Sequence, residues 1–459
     1  MSAVISAHSL ASRPLPLAVG GPDRVLVFGA GEPVALGTFM ARAQALARTL
    51  PQARHVVHPA EDRYRFLLGF CAAALRGQVA LLPPSGAPGT VAEILRAHGR
   101  DGAYRLEDRV LDAEALAPAS TTATLLDPAA LAAIGYTSGS TGRPQAHAKT
   151  WGAFAAGTAQ NLAALRDLWA GAQPWIVATV PPQHMYGMEL SVLLPLLGGA
   201  AVHAGRPLLP SDVAAALEQA QAPRLLVTTP VHLRALLASG VDLPPLCGIV
   251  SATAPLSQAL AAEAEDRFGS EVREVFGSTE TCVIACRRTA RDIPWTPLPG
   301  VQVSSRRDGT RVHAPHLPAP VVLADLMELQ ADGRFNLCGR QADLLEIAGK
   351  RASLGDLTLR LLAVPGVEDG VVLQLPPGTE GGVGRLAALV VAPALSTEAI
   401  IAALRGSIDP VFLPRRLRLV ERLPRNETGK LRREALLALL RRPASPRSSA
   451  VPEAGGPAS

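Results

Sequence analysis

The sequence predicts an α/β protein: a large N-terminal domain of mainly parallel sheets covered by helices, followed by a small α+β domain. Three observations carry this. Between 131 and 276, short apolar or β-branched runs alternate with segments of helical apolar spacing, the pattern of strands joined by covering helices. The chain has 459 residues, more than a single core usually serves. After Trp295 the composition becomes turn-rich through Pro320, and from Leu344 a hairpin–helix–strand pattern begins. These place a core over 1–340, a second domain over 341–442 and a disordered tail, rich in Pro, Ser, Ala and Gly, over 443–459.

Taken in order, Pro33–Thr49 and Tyr64–Arg76 read as helices, and Val79–Leu82 as a strand stopped by two prolines. Leu131–Ile134 reads as a buried strand and Thr150–Leu165 as a helix. Strands follow at Trp175–Val180, Arg224–Thr228, Gly248–Ala252 and Val272–Phe276, with helices at Ser211–Gln221, Val231–Ala238 and Leu256–Phe268 between them. Leu190–Gly205 is uncharged but short and broken by Pro195, Gly198 and Gly199, so it reads as a buried helix plus turn and no membrane span is expected. In the second domain, strands are expected at Val371–Leu375, Arg385–Val391 and Leu417–Val420, and helices at Thr397–Leu404 and Leu431–Arg441.

Composition narrows the function classes. The chain is 48% hydrophobic and 18% charged, with a net charge of +5, too mild and too dispersed an excess to argue for nucleic acid. Five scattered cysteines oppose a disulfide framework, and a reducing cytoplasm is expected. Cys282 and Cys286 have no second pair to complete a zinc site. The N-terminus lacks a basic segment followed by an apolar core, so no signal peptide is expected.

Parallel sheets bind ligands at the carboxyl ends of their strands, which directs attention to the loops after Tyr136, Val180, Ala252 and Phe276. The first of these reads Thr137, Ser138, Gly139, Ser140, Thr141, Gly142. Glycines admit close backbone approach and hydroxyls add donors, which suits phosphate; a flexible linker is the plainer alternative. In a strand–loop–helix layout, the helix N-terminus adds positive potential. The loop is not a P-loop, because Gly142 is followed by Arg143 and Pro144 where Lys and Ser or Thr are required.

Further on, FGSTE (Phe276–Glu280) sets a carboxylate suited to Mg²⁺ at a strand end, with Thr279 as a phosphate donor and Phe276 as a flat cover for a purine. Asp325 follows an apolar run and Arg340 comes soon after; together they suit vicinal hydroxyls. In LPRNETGKLRR (Leu423–Arg433), a Pro and a Gly frame Lys430 ahead of a helix, placing one ammonium for a phosphate that gains charge.

In this order the segments resemble the adenylate-forming superfamily of acyl- and aryl-CoA synthetases, peptide-synthetase adenylation domains and luciferases. YTSGSTGRP is similar to its phosphate loop, PPQHMYG to its P-x-x-H-x-x-G segment, SATAPL to its adenine loop, FGSTE to its adenine and magnesium motif, GRQADLLEIAGKR to its hinge and LPRNETGK to its lysine motif. The resemblance covers about Phe66 to Leu440. It implies ATP and Mg²⁺ as cofactors, with Thr137–Gly142 holding phosphates, Ala252 and Phe276 at adenine, Thr279 at the α-phosphate and Glu280 on Mg²⁺. It further implies Asp325 and Arg340 on ribose, His184 beside the acyl pocket, and Asp343 as the hinge of a mobile small domain. Lys430 would serve acyl-adenylate formation, and Gly349, Lys350 and Arg351 the later attack by a thiol.

The chain departs from the family where Pro-Lys-Gly is usual and Pro144-Gln145-Ala146 stands here, leaving Lys149 as a candidate substitute. Thr-Gly-Asp is reduced to Leu323-Ala324-Asp325, and Glu346 replaces a common hinge-region lysine. SATAPL, AGKRASL and FLPRRL resemble the stand-alone ligases of aryl polyene and xanthomonadin-type pigment pathways. That implies a hydroxybenzoate-like acid loaded onto an acyl carrier protein. Coenzyme A as acceptor and a non-catalytic nucleotide-binding relative are the alternatives.

Overall fold

The computed structural model describes residues 13–60, 62–99, 102–107, 124–138, 144–306, 309–340, 343–347, 350–375, 385–425 and 431–441. The loop 139–143, residues 348–349, Lys430 and the expected tail lie outside them. Two compact units divide between Leu359 and Arg360. No helix of the described residues is long and apolar enough to cross a membrane.

Two large sheets form the centre of the larger unit, beside several smaller ones. In the described residues the first has nine strands, with Val272–Ser278, Gly248–Ser251, Arg224–Thr228, Trp175–Ala178, Ala201–His203 and Val25–Phe28 parallel at its centre. Outside the edge of this group at Val272–Ser278, their residues are mostly apolar and buried, as expected where both faces are covered. The second sheet orders Ala103–Arg105, His55–Val57, Val79–Leu82, Leu131–Ser138 and Pro144–Thr150, with the last strand antiparallel. Helices such as Trp151–Leu165 and Gln258–Phe268 pack apolar residues into the sheets, and Thr150 and Ser257 cap them from the side chain.

The fold class is as expected, but two local readings change. Leu190–Gly205 holds a π-helical turn, Glu189–Leu193, and a buried strand, Ala201–His203, too short to declare itself in sequence. The strand–loop–helix layout around 139–143 is overturned. The segment Pro144–Thr150 is extended and pairs residue by residue with Leu131–Ser138, Thr137 opposite Gln145 and Leu131 opposite Thr150. The loop therefore joins a β-hairpin, and the helix begins at Trp151 at the hairpin's opposite end, so its N-terminal potential does not act at the loop.

One buried cation fastens strand ends together. Arg63 is 0% exposed and donates from Nη1 to the carbonyls of His203 (3.2 Å) and Gly205 (2.6 Å), and from Nη2 to those of Ala178 (3.1 Å) and Val180 (2.8 Å). These carbonyls end or follow two parallel strands, so the guanidinium satisfies groups that the sheet leaves open.

Asp325 begins a strand, Asp325–Leu329, instead of ending the preceding one, and that strand pairs with Phe335–Arg340. A second hairpin, Leu344–Ile347 with Lys350–Ser353, also lies in the larger unit. The smaller unit pairs Asp369–Gln374 antiparallel and Arg416–Leu419 parallel to Leu386–Val391. Its core gathers Leu373, Leu389, Leu423, Leu436 and Leu440, and Arg425 pairs with Asp369 at 2.7 Å.

Candidate active site

The site is assembled where two hairpins meet. One is Leu131–Thr150. The other joins Val272–Ser278 to Cys282–Arg288 through Thr279–Thr281, and glycine makes its tight approach possible. A Cβ on Gly277 would lie 2.1 Å from the Cys282 carbonyl oxygen, and the register shifts between Phe276 and Gly277. Cys282 closes the turn at φ 59°, a left-handed conformation uncommon for a residue with a side chain. Ser278 Oγ accepts from the Thr281 N–H at 3.2 Å and fixes the turn internally.

The hairpins interlock at Gly135. A Cβ there would lie 2.8 Å from Thr279 Cγ2 and 3.1 Å from Met185 Cε, so the bare backbone admits both side chains. This brings together three segments that the sequence singled out: the strand leading to the Gly/Ser/Thr loop, the Thr279–Glu280 turn, and the His184–Met185 start of a short helix. His147 Nε2 lies 3.1 Å from Thr137 Oγ1 and 3.8 Å from Glu280 Oε1, bridging the hairpins. Burial holds the His147 pKa below its ordinary value, with Glu280 opposing and Lys149 reinforcing that shift.

Lys149 directs its ammonium to the Thr279–Thr281 turn. It is 5% exposed, and Nζ donates to the Glu280 main-chain carbonyl at 2.7 Å. Gln145 is exposed on the same strand. Below the turn, Glu189 accepts from Val283 N–H at 3.0 and 3.2 Å and from Asn161 Nδ2 at 3.1 Å. Burial raises its pKa to about 7, against the lowering influence of the Val283 and Asn161 hydrogen bonds and of Lys149. His316 Nε2 lies 2.5 Å from the Thr281 carbonyl oxygen, and Nδ1 lies 2.5 Å from Gln160 Oε1. Burial pushes the His316 pKa down to about 4, against the raising influence of the Thr281 carbonyl. Sequence reasoning missed His147, Glu189 and His316, because each is a lone polar residue whose partner is remote in the chain.

Phe276 is half-buried, its ring 5.5 Å from that of Trp295 and 6.3 Å from that of Phe335. Phe335 opens the strand that ends at Arg340, and the register sets Arg340 directly opposite Asp325. Ala252 is buried just past its strand, and the next residue, Thr253, holds φ 80°. The Thr253 Oγ1 is buried with no partner among the described residues.

These residues fit ATP with Mg²⁺. Magnesium takes one or two carboxylates together with phosphate oxygens, and the Glu280 side chain is 32% exposed beside Thr137 and His147. Among the described residues no cluster of three His, Cys, Asp or Glu could hold a metal alone. Burial lifts the Cys282 and Cys286 thiols to about 12, so neither offers a thiolate. Asp343 is half-buried and Lys350 exposed beside the hairpin turn; Gly139, Ser140, Thr141, Gly142, Gly349 and Lys430 lie outside the described residues.

Residues 22–312 match the family model described as AMP-binding enzyme. The chain belongs to that family of adenylate-forming enzymes, whose class is the AMP-forming acid–thiol ligase using ATP with Mg²⁺. It is 33% identical over 309 residues to a 4-coumarate–CoA ligase of Rhodobacter capsulatus, covering 65% of this chain and 74% of that one. It is 28% identical over 261 residues to a 3-hydroxybenzoate–CoA/4-hydroxybenzoate–CoA ligase of Thauera aromatica, covering 48% and 49%. In fold it is similar to ATP-bound MatB from Rhodopseudomonas palustris, with TM-score 0.76, 20% identity and coverage of 92% and 96%. It is likewise similar to the o-succinylbenzoate CoA synthetase MenE of Bacillus subtilis, with TM-score 0.75, 18% identity and coverage of 91% and 96%.

These relatives overturn the expected acyl-carrier-protein acceptor, since both sequence relatives are named as coenzyme A ligases. The resemblance to pigment-pathway ligases rested on short loop segments and has no support in them. Membership of an enzyme family likewise displaces the non-catalytic alternative.

Proposed function

We propose that this protein is an aryl- or acyl-acid–CoA ligase. It joins a carboxylate to the α-phosphate of ATP with release of pyrophosphate, then transfers the acyl group to coenzyme A with release of AMP. The convergence of Thr137, His147, Thr279 and Glu280 from two hairpins is the observation that carries the reading. An aryl acid of hydroxybenzoate or hydroxycinnamate type is favoured by the names of the two sequence relatives.

In this reading Thr137, Ser138 and the loop Gly139–Gly142 hold the phosphates, and Thr279 donates to the α-phosphate. Ala252 and Phe276 border adenine, while Asp325 and Arg340, paired in register across their hairpin, hold the ribose. Glu280 holds Mg²⁺, which offsets phosphate charge when bound. His184 borders the acid. Lys430 stabilises charge gained by the phosphate in the first step. Rotation about Asp343 then exchanges Lys430 for the Gly349, Lys350 and Arg351 turn, against which the CoA thiol attacks the acyl carbon; the thiol proton leaves and the acyl–phosphate C–O bond breaks.

The test is ATP–pyrophosphate exchange across benzoates, cinnamates and fatty acids, followed by transfer to coenzyme A. Exchange with at least one acid and thioester formation are expected. Absence of exchange with every acid overturns the reading.

A further inference from the structure

We propose that Lys149, Glu189 and His316 are positioning residues: a buried frame that fixes the Thr279–Glu280 turn for its metal–nucleotide ligand. The inference rests on the roles given to Thr279 and Glu280 above. The three side chains come from a strand, a π-helical turn and the segment after the strand Gly309–His313. Each reaches a different main-chain group of one short stretch. Lys149 holds the Glu280 carbonyl at 2.7 Å, His316 contacts the Thr281 carbonyl at 2.5 Å, and Glu189 accepts the Val283 N–H at 3.0 Å.

All three are nearly inaccessible, at 5% for Lys149, 4% for Glu189 and 4% for His316. Burying ionisable groups costs desolvation, and apolar packing would close a hairpin at less cost. A turn that needed only to reverse the chain could leave its carbonyls to water. Here the Glu280 side chain is 32% exposed while its backbone carbonyl is held from within. That division fits a ligand-bearing turn whose position must not relax.

The frame is braced from behind by one continuous segment. Lys149 sits at the end of the strand Pro144–Thr150, and Thr150 caps the helix that carries Gln160 and Asn161. Asn161 donates to Glu189, and Gln160 gives its amide to the Pro299 carbonyl at 2.7 Å, which turns its own oxygen toward His316. The phosphate-side hairpin and the metal-side turn thus share one set of supports. Loss of a support is expected to weaken metal–nucleotide binding selectively and to leave recognition of the acid alone.

The experiment uses the full chain and measures Mg²⁺-dependent binding of a non-hydrolysable ATP analogue by calorimetry, beside KM values from pyrophosphate exchange. Lys149→Met is expected to weaken binding about tenfold or more and to raise KM for Mg·ATP in step, with KM for the acid within about twofold. Lys149→Arg, which keeps a cationic donor, is expected to recover most of the loss, and Glu189→Leu to behave as Lys149→Met. If Lys149→Met does not fold by circular dichroism, Lys149→Gln replaces it. The proposal is overturned if the folded variant binds as wild type, if both KM values rise together, or if Lys149→Arg is no better than Lys149→Met. Should the wild type exchange with no acid, the ligase reading fails and the binding measurement still decides the frame.

Discussion

Lys149 Nζ donates to the Glu280 main-chain carbonyl at 2.7 Å, joining residues 131 positions apart. The ammonium of this lysine, which follows the Gly/Ser/Thr loop in sequence, is thus engaged by the Thr279–Thr281 turn. Gln145 stands where the family usually has lysine.

The first prediction follows from that vacancy of charge. Gln145 is exposed on the strand leaving the loop, opposite Thr137. Gln145→Lys is expected to lower KM for ATP by about threefold to tenfold, the scale of one added phosphate contact, with little change in thermal midpoint. Initial rates in pyrophosphate exchange measure it.

Gly135 makes room for Thr279. A Cβ would meet Thr279 Cγ2 at 2.8 Å, so Gly135→Ala must displace the hydroxyl-bearing side chain or the strand. Activity is expected to fall about tenfold or more while stability falls by about 1 kcal/mol, because overpacking at a site of this kind displaces groups before it unfolds them. Comparing kcat/KM with the denaturation midpoint separates the two.

Glu189 makes stability depend on pH. Burial raises its carboxyl from 4.5 to about 7. Between those values the folded chain keeps a proton that the unfolded chain has lost, so this group's contribution is full below about 4.5, falls as pH rises through about 7 and is level above. The shift corresponds to about 3 kcal/mol across that window. Urea titrations from about pH 5 to about pH 8 should show this slope in the wild type and a flatter profile in Glu189→Gln. Equal slopes would refute the assignment.

Arg63 is a structural cation. Arg63→Met removes the partner of four carbonyls, three of them buried, and is expected to cost about 3–5 kcal/mol, with Arg63→Lys recovering little because an ammonium cannot span the same fork. Thermal unfolding measures it.

In the proposed mechanism Lys430 serves only the first half-reaction. Lys430→Ala is expected to lower adenylation by about a thousandfold while sparing thioester formation from supplied acyl-adenylate. Equal loss of both steps would count against exchange of the two groups at one site.

By itself the sequence determined the α/β alternation, the strand ends followed by the loops it singled out, and the order of motifs that marks an adenylate-forming enzyme. Those features are local: apolar period, turn residues and short motifs each lie within one stretch of chain. It also singled out Asp325 and Arg340, which hairpin register then set opposite each other. Only the tertiary structure decided that the Gly/Ser/Thr loop caps a hairpin remote from the helix N-terminus, since Pro144–Thr150 becomes a strand by pairing, without an apolar period of its own. The tertiary structure likewise decided that Lys149, Glu189 and His316 converge under one turn. Their meaning lies in contacts 131, 94 and 35 residues apart, and a lone polar residue in a sequence does not name its partner.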